Sequence, residues 1–134
     1  MEKHAEILIA SRDARQTRVL REALGRLGAT YHVGEAQTMG EVREHARAAD
    51  IDLLVMDARL LQTDRAGVEQ LFAHCPQAAI IWLTTNGCHV LKPVLVAGPQ
   101  PYRCFDKPVE IDRIRQAAVT LIQRNSNHTN PTPL

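Results

Sequence analysis

Short runs that are apolar on both faces, each followed by residues in helical periodicity, constrain this chain more than any other feature. Ile7-Leu8-Ile9-Ala10, Ile51 to Met56 and Ala79-Ile80-Ile81-Trp82-Leu83 are runs of strand length, with Asp52 near the start of the second and Asp57 directly after it. Tyr31-His32-Val33 is a weaker run, and Tyr102 to Phe105 is a fifth. A strand with one wet face alternates apolar and polar residues; a strand that does not alternate is covered on both sides, as in a parallel sheet between helical layers. Right-handed crossovers then predict an α/β, doubly wound sheet of five parallel strands, with its site at the carboxyl ends of the strands.

The intervening segments read as helices. Asp13 and Gln16 have capping-box spacing, and Val19, Leu20, Ala23, Leu24 and Leu27 recur at helical intervals up to Gly28. Thr38 and Glu41 repeat the capping signature before a short helix ending near Ala49. Val68, Leu71 and Phe72 mark a third helix stopped by Pro76, and Ile111, Ile114, Ala118, Leu121 and Ile122 form the stripe of the last. Between Thr85 and Pro101, three prolines and two glycines predict a fourth helix that is short or irregular, with Val94-Leu95-Val96-Ala97 either a contact surface or core. Residues 5–124 are expected to form one domain, and the polar, proline-containing 125–134 a disordered tail or linker stub.

Apolar residues make up 45% of the 134 and aromatics 4%, so the core must come from aliphatic side chains. A formal charge of +1 argues against direct nucleic-acid binding, and the arginines along the first helix read as a solvated face. The first apolar run is too short for a signal peptide or membrane span, so a cytoplasmic protein is expected. Cys75, Cys88 and Cys104 show no CxxC spacing and cannot all pair, which suggests reduced thiols. His74-Cys75 and Cys88-His89 lack the spacers of a zinc site.

Polar residues gather at the strand ends: Ser11 and Arg12 after the first, Asp57 after the third, Thr84 after the fourth, Lys107-Pro108 after the fifth. In this order and spacing they resemble the receiver domain of two-component response regulators, the CheY-like superfamily, over about residues 5–124. Lys92-Pro93 follows Thr84 too closely to be the matching pair. The resemblance implies the flavodoxin-like strand order 2-1-3-4-5. It also implies Asp57 as phosphoacceptor for a histidine kinase, Lys107 as the cation that neutralises the phosphoryl group, and Thr84 as the hydroxyl that moves to bind it. Without the resemblance, Asp57 reads as a loop carboxylate bonded to backbone amides, Lys107 as a salt-bridge partner joining two strand ends, and Thr84 as a locally satisfied hydroxyl.

Departures from the family pattern are as informative. Two acidic residues usually follow the first strand and hold Mg²⁺; here they are Ser11 and Arg12. Asp13, the remaining acidic candidate, is placed for helix capping. Arg12 reads either as an exposed helix-start residue or as a guanidinium folded onto Asp57 in place of the ion, which would lower the Asp57 pKa. Leucine stands where a proline is usual in Asp57-Ala58-Arg59-Leu60-Leu61, and Arg65 where a glycine is expected. Cys104 holds the switch position of an aromatic, and the neighbouring Phe105 should face the other side of its strand.

The expected function is therefore an atypical pseudo-receiver: no enzyme, no cofactor, and a surface for a signalling partner such as a histidine kinase or effector. Self-association through the face of the fourth helix, fifth strand and last helix is a further expectation. The alternative is a working phosphorelay receiver, with Mg²⁺ as its ion. A small-ligand enzyme is disfavoured, because no glycine-rich loop follows the first strand and no nucleophile–base pair is evident.

Overall fold

The computed structural model describes residues 4–28, 30–85, 87–88 and 101–129. In chain order these form β1 (Ala5–Ala10), α1 (Ala14–Gly25), β2 (Tyr31–Ala36), α2 (Met39–Ala48), β3 (Leu53–Asp57), α3 (Arg59–Thr63), α4 (Arg65–His74), β4 (Ala79–Thr84), β5 (Tyr102–Asp106) and α5 (Ile111–Thr129). The strands make one five-stranded sheet in the order β2-β1-β3-β4-β5, and each pairing is parallel. Both the doubly wound class and the 2-1-3-4-5 order expected from the sequence are present.

Successive residues of each central strand face opposite ways, and the core divides accordingly. Leu8, Ala10, Leu54, Met56, Ile80 and Trp82 point to one side, where Met39, Val42, Leu60, Leu61, Val68 and Leu71 cover them. Ile7, Ile9, Leu53, Val55, Ile81 and Leu83 point to the other, beneath Leu20 and Leu24 of α1 and Ile114, Ala118 and Leu121 of α5. All residues of β3 and β4 are buried, which is why those runs carry no alternation. Phe72 meets Trp82 edge-on, with ring centroids 5.9 Å apart.

The helix starts follow the capping chemistry read from the sequence. Asp13 accepts from the amides of Arg15 and Gln16, and Thr38 from that of Glu41. The third helical region differs from expectation: a separate short helix, α3, precedes α4. Asp64 divides them with φ −152° and ψ 69°. Its amide closes α3 on the Leu60 carbonyl, and its carboxylate caps α4 through the Gly67 amide at 2.9 Å. Leu60 and Leu61, at the place of the missing proline, bury against Val68, Leu71 and Trp82, while Arg65 begins α4 and pairs with Glu69.

The end of the chain also differs. The last helix continues to Thr129, so 125–129, expected in the tail, are helical. No glycine or proline interrupts the chain between Ile111 and Pro131, and a helix can extend through Asn and Ser. The expected fourth helix, Lys92-Pro93 and Val94–Ala97 lie outside the described residues. Among the described residues, no helix is long and apolar enough to cross a membrane.

Leu83, wholly buried, and Val19, 44% exposed, give a direct check on this core. Leu83→Ala should lose about 2–5 kcal/mol and Val19→Ala no more than about 0.5 kcal/mol. Urea unfolding followed through Trp82, the single tryptophan, measures both.

Candidate functional site

Parallel pairing brings the carboxyl ends of the strands to one edge of the sheet. Ala10 lies beside Met56, Asp57 beside Leu83, and Thr84 beside Asp106. Backbone bonds carry the pairing past the strand ends: the Ser11 amide donates to the Ala36 carbonyl, Ala58 to Leu83, and Lys107 to Thr84. Ser11, Asp57, Thr84 and Lys107 are thereby held at one crevice, as the strand ends in the sequence indicate. Ser11, Asp57 and Thr84 are buried.

Asp57 is the centre of the site. Its Oδ1 accepts the Arg59 amide at 2.9 Å and Arg59 Nε at 3.3 Å. Its Oδ2 accepts Arg59 Nη2 at 3.0 Å and Lys107 Nζ at 2.7 Å. Ser11 Oγ adds a longer contact to Oδ2 at 3.5 Å, so both carboxylate oxygens are engaged by donors. Burial alone would push the Asp57 carboxyl up; the hydrogen bonds from the Arg59 side chain, Lys107 and the Arg59 amide, with the Lys107 charge, outweigh burial and hold it below the ordinary carboxylate value. The same contacts raise Arg59. Two cations on one carboxylate leave the cluster with net positive charge.

The guanidinium that pairs with Asp57 thus belongs to Arg59, and the suggested pairing with Arg12 is corrected. Arg12 is exposed, and no hydrogen bond or ion pair joins it to Asp57. Arg12 leaves the sheet at the bend before α1, whereas Arg59 starts α3 two residues after Asp57, so its own amide and side chain reach the carboxylate together. An Asp-x-Arg pair at a strand-to-helix junction is the sequence signal that carried this contact.

The remaining acidic-pair positions offer a metal little. Ser11 Oγ accepts the Asp13 amide at 3.1 Å, and its proton is shared between Gln16 Oε1 at 3.2 Å and Asp57 Oδ2 at 3.5 Å. Asp13 is spent on the α1 cap. A carboxylate paired with two cations and a hydroxyl engaged by its neighbours do not match the oxygen-rich, anionic donor set that Mg²⁺ requires.

Cys104 and Phe105 face opposite sides of β5, the first against the layer containing Trp82 and the second against the layer containing Leu83. The reading of all three cysteines as reduced thiols is corrected for two of them: Cys88 and Cys104 are joined by a disulfide, with Cα atoms 5.8 Å apart. An odd count leaves room for one pair, and a separation of 16 residues gave no hint that the fold closes it. Cys75 remains a half-buried thiol, pushed up by burial and by the charge of Asp50. Among the described residues, no three His, Cys, Asp or Glu side chains are grouped to hold a metal.

No family model matches the sequence, and no curated protein matches it. Solved structures do match. The signal receiver domain of an HD domain-containing protein from Pseudomonas fluorescens Pf-5 superposes with a TM-score of 0.83 at 17% identity, covering 98% of this chain and 96% of that one. The fold is that of a receiver domain. A CheY-like receiver domain protein from Methanospirillum hungatei JF-1 gives a TM-score of 0.82 at 17% identity over 94% and 99% of the two chains. A putative pilus assembly-related protein from Burkholderia pseudomallei gives 0.71 at 24% identity over 89% and 90%. On this receiver fold, Asp57 stands at the strand end that the resemblance assigns to a phosphoacceptor.

Asp57 has a lower pKa folded than unfolded, where it is about 3.9. The ion cluster therefore contributes stability that is complete above the unfolded value and lost as pH falls through the folded one. Asp57→Asn is expected to lower stability by roughly 1–3 kcal/mol near neutrality. In urea unfolding across the acid range, that deficit should shrink as the wild type loses its charged cluster; parallel pH profiles would contradict the assignment.

Proposed function

We propose that this receiver-fold domain serves two-component signal transduction as an atypical response-regulator receiver: a cytoplasmic protein-interaction module with impaired Mg²⁺-dependent phosphorylation. It engages a signalling partner, a histidine kinase or an effector, rather than nucleic acid or membrane. The observation that carries the reading is the pairing of Asp57 with Arg59 and Lys107, with Ser11 and Arg12 in place of paired acids.

Phosphoryl transfer to a carboxylate requires a lone pair aligned on phosphorus and cations around the equatorial oxygens. Here the cations are present, but they bind the nucleophile itself. Magnitudes decide which defect weighs more. Arg59 has a side chain 55% exposed, and such an ion pair is worth about 0.2–1 kcal/mol, so swinging it away costs at most about fivefold in rate. A metal acting as Lewis acid contributes several kcal/mol. Loss of the metal-binding acids therefore dominates, and Arg59 adds a smaller local block.

One observation favours the alternative, a phosphorelay receiver phosphorylated on Asp57 by a histidine kinase. Lys107 Nζ lies 2.7 Å from Asp57 Oδ2 and Thr84 is buried at the adjoining strand end, the arrangement the resemblance implies for a phosphoacceptor. Under that reading Mg²⁺ would be the cofactor. Self-association would use the surface around β5, where Tyr102 is 41% exposed at the edge of the sheet.

Incubation with acetyl phosphate, with and without Mg²⁺, followed by intact mass, separates the two. The expected result is little or no adduct, unchanged by Mg²⁺, and a rise of no more than about fivefold in Arg59→Ala. A stoichiometric, Mg²⁺-dependent adduct abolished by Asp57→Asn would establish the alternative.

A further inference from the structure

We propose that Cys88 and Cys104 form a reversible thiol–disulfide switch that fastens the segment following β4 to β5, beside the Asp57 crevice. The inference is independent of whether Asp57 accepts a phosphoryl group.

Cys104 lies mid-strand in β5, paired in register with Trp82 of β4, and packs against the layer that contains Trp82. Cys88 comes four residues after Thr84, the last residue of β4. Between them Gly87 has φ +92°, a left-handed conformation that a side chain would strain, so the chain turns here. That turn sets the two Cα atoms 5.8 Å apart, within the 4.4–6.8 Å range of bridged pairs. Both cysteines are half-buried, within reach of a small thiol.

The bridge has a defined place in the site. Thr84 and Lys107, the residues that β4 and β5 bring to the crevice, are already joined by the Lys107 amide on the Thr84 carbonyl at 2.8 Å. The disulfide adds a covalent link between the same two chain segments. Lys107, three residues beyond Cys104, carries the ammonium bound to Asp57. At position 104, where the family resemblance places an aromatic side chain that reorients, this chain has a sulfur whose position depends on its oxidation state. Cys75 takes no part: it lies at the far end of α4, and burial disfavours its thiolate.

The chemistry needs an external disulfide as oxidant, such as oxidised glutathione. The Cys88 thiolate attacks one of its sulfurs, forming a mixed disulfide and expelling one small thiolate. The Cys104 thiolate then attacks Cys88 Sγ, closing the internal bridge and expelling the second. The two protons lost by the cysteines end on the two small thiols. The protein gives up two electrons, the oxidant takes them, and excess small thiol reverses both steps.

The test equilibrates the full chain in glutathione buffers of graded oxidised-to-reduced ratio, quenches with acid, alkylates, and reads intact and peptide masses. Two alkylation sites should disappear together as the buffer becomes oxidising, in a Cys88–Cys104 peptide pair, while Cys75 stays modifiable. Cys88→Ser should abolish the transition, Cys104→Ser should do the same, and Cys75→Ser should leave it intact, with circular dichroism reporting that each variant folds. Hydrogen exchange gives the mechanical readout: amides of β5 should exchange roughly tenfold faster in the reduced protein. The proposal is overturned if both thiols remain alkylatable in oxidised buffer, if the bridge resists excess thiol until the protein is denatured, or if β5 exchanges alike in both states.

Discussion

A carboxylate buried at the end of the central strand must be neutralised, and the arrangement of the crevice follows from how this chain does it. Asp57 could not remain ionised there without donors. Lys107 reaches it from β5, which requires the β3–β4–β5 register, and Arg59 reaches it from the first turn of α3, which requires a helix to start immediately after the strand. The short helix that distinguishes this part of the fold is thus tied to the charge balance of the site. Its own packing, through Leu60 and Leu61, anchors the backbone from which Arg59 reaches.

That solution changes what the crevice can do. A site built to hold a divalent ion keeps excess negative charge and lets the ion supply the compensation. Here side chains of the same molecule, Arg59 and Lys107, supply it. These contacts hold Asp57 in its ionised form. The two cations differ in commitment. Lys107 is 15% exposed at its side chain, whereas Arg59 is more than half exposed and can leave at small cost. The site is closed firmly from the β5 side and lightly from the α3 side.

Much of this was legible in the sequence because the relevant physics is local or periodic. Non-alternating runs announced the buried strands, and Asp13 and Thr38 announced helix starts that the structure confirms. Asp57, Thr84 and Lys107 could be placed at one crevice because residues that follow parallel strands share one edge. What escaped was side-chain reach. Position in the sequence pointed only to Arg12 as a partner for Asp57, and the contact with Arg59 depends on the backbone direction after the third strand. The Cys88–Cys104 pairing depends on a turn at Gly87, and nothing in a 16-residue separation encodes that proximity. The continuation of α5 to Thr129 was hidden by a polar composition that suits a tail and an exposed helix equally.

We propose that Arg59 and Lys107 occupy the place of a metal at Asp57. Titration with Mn²⁺, a paramagnetic stand-in for Mg²⁺, while observing the amide resonances of Ser11, Asp57, Arg59 and Lys107, tests it most directly. No selective broadening of these resonances is expected ahead of those of exposed surface carboxylates such as Glu69 and Asp112. Early, saturable broadening centred on Asp57 would contradict the proposal.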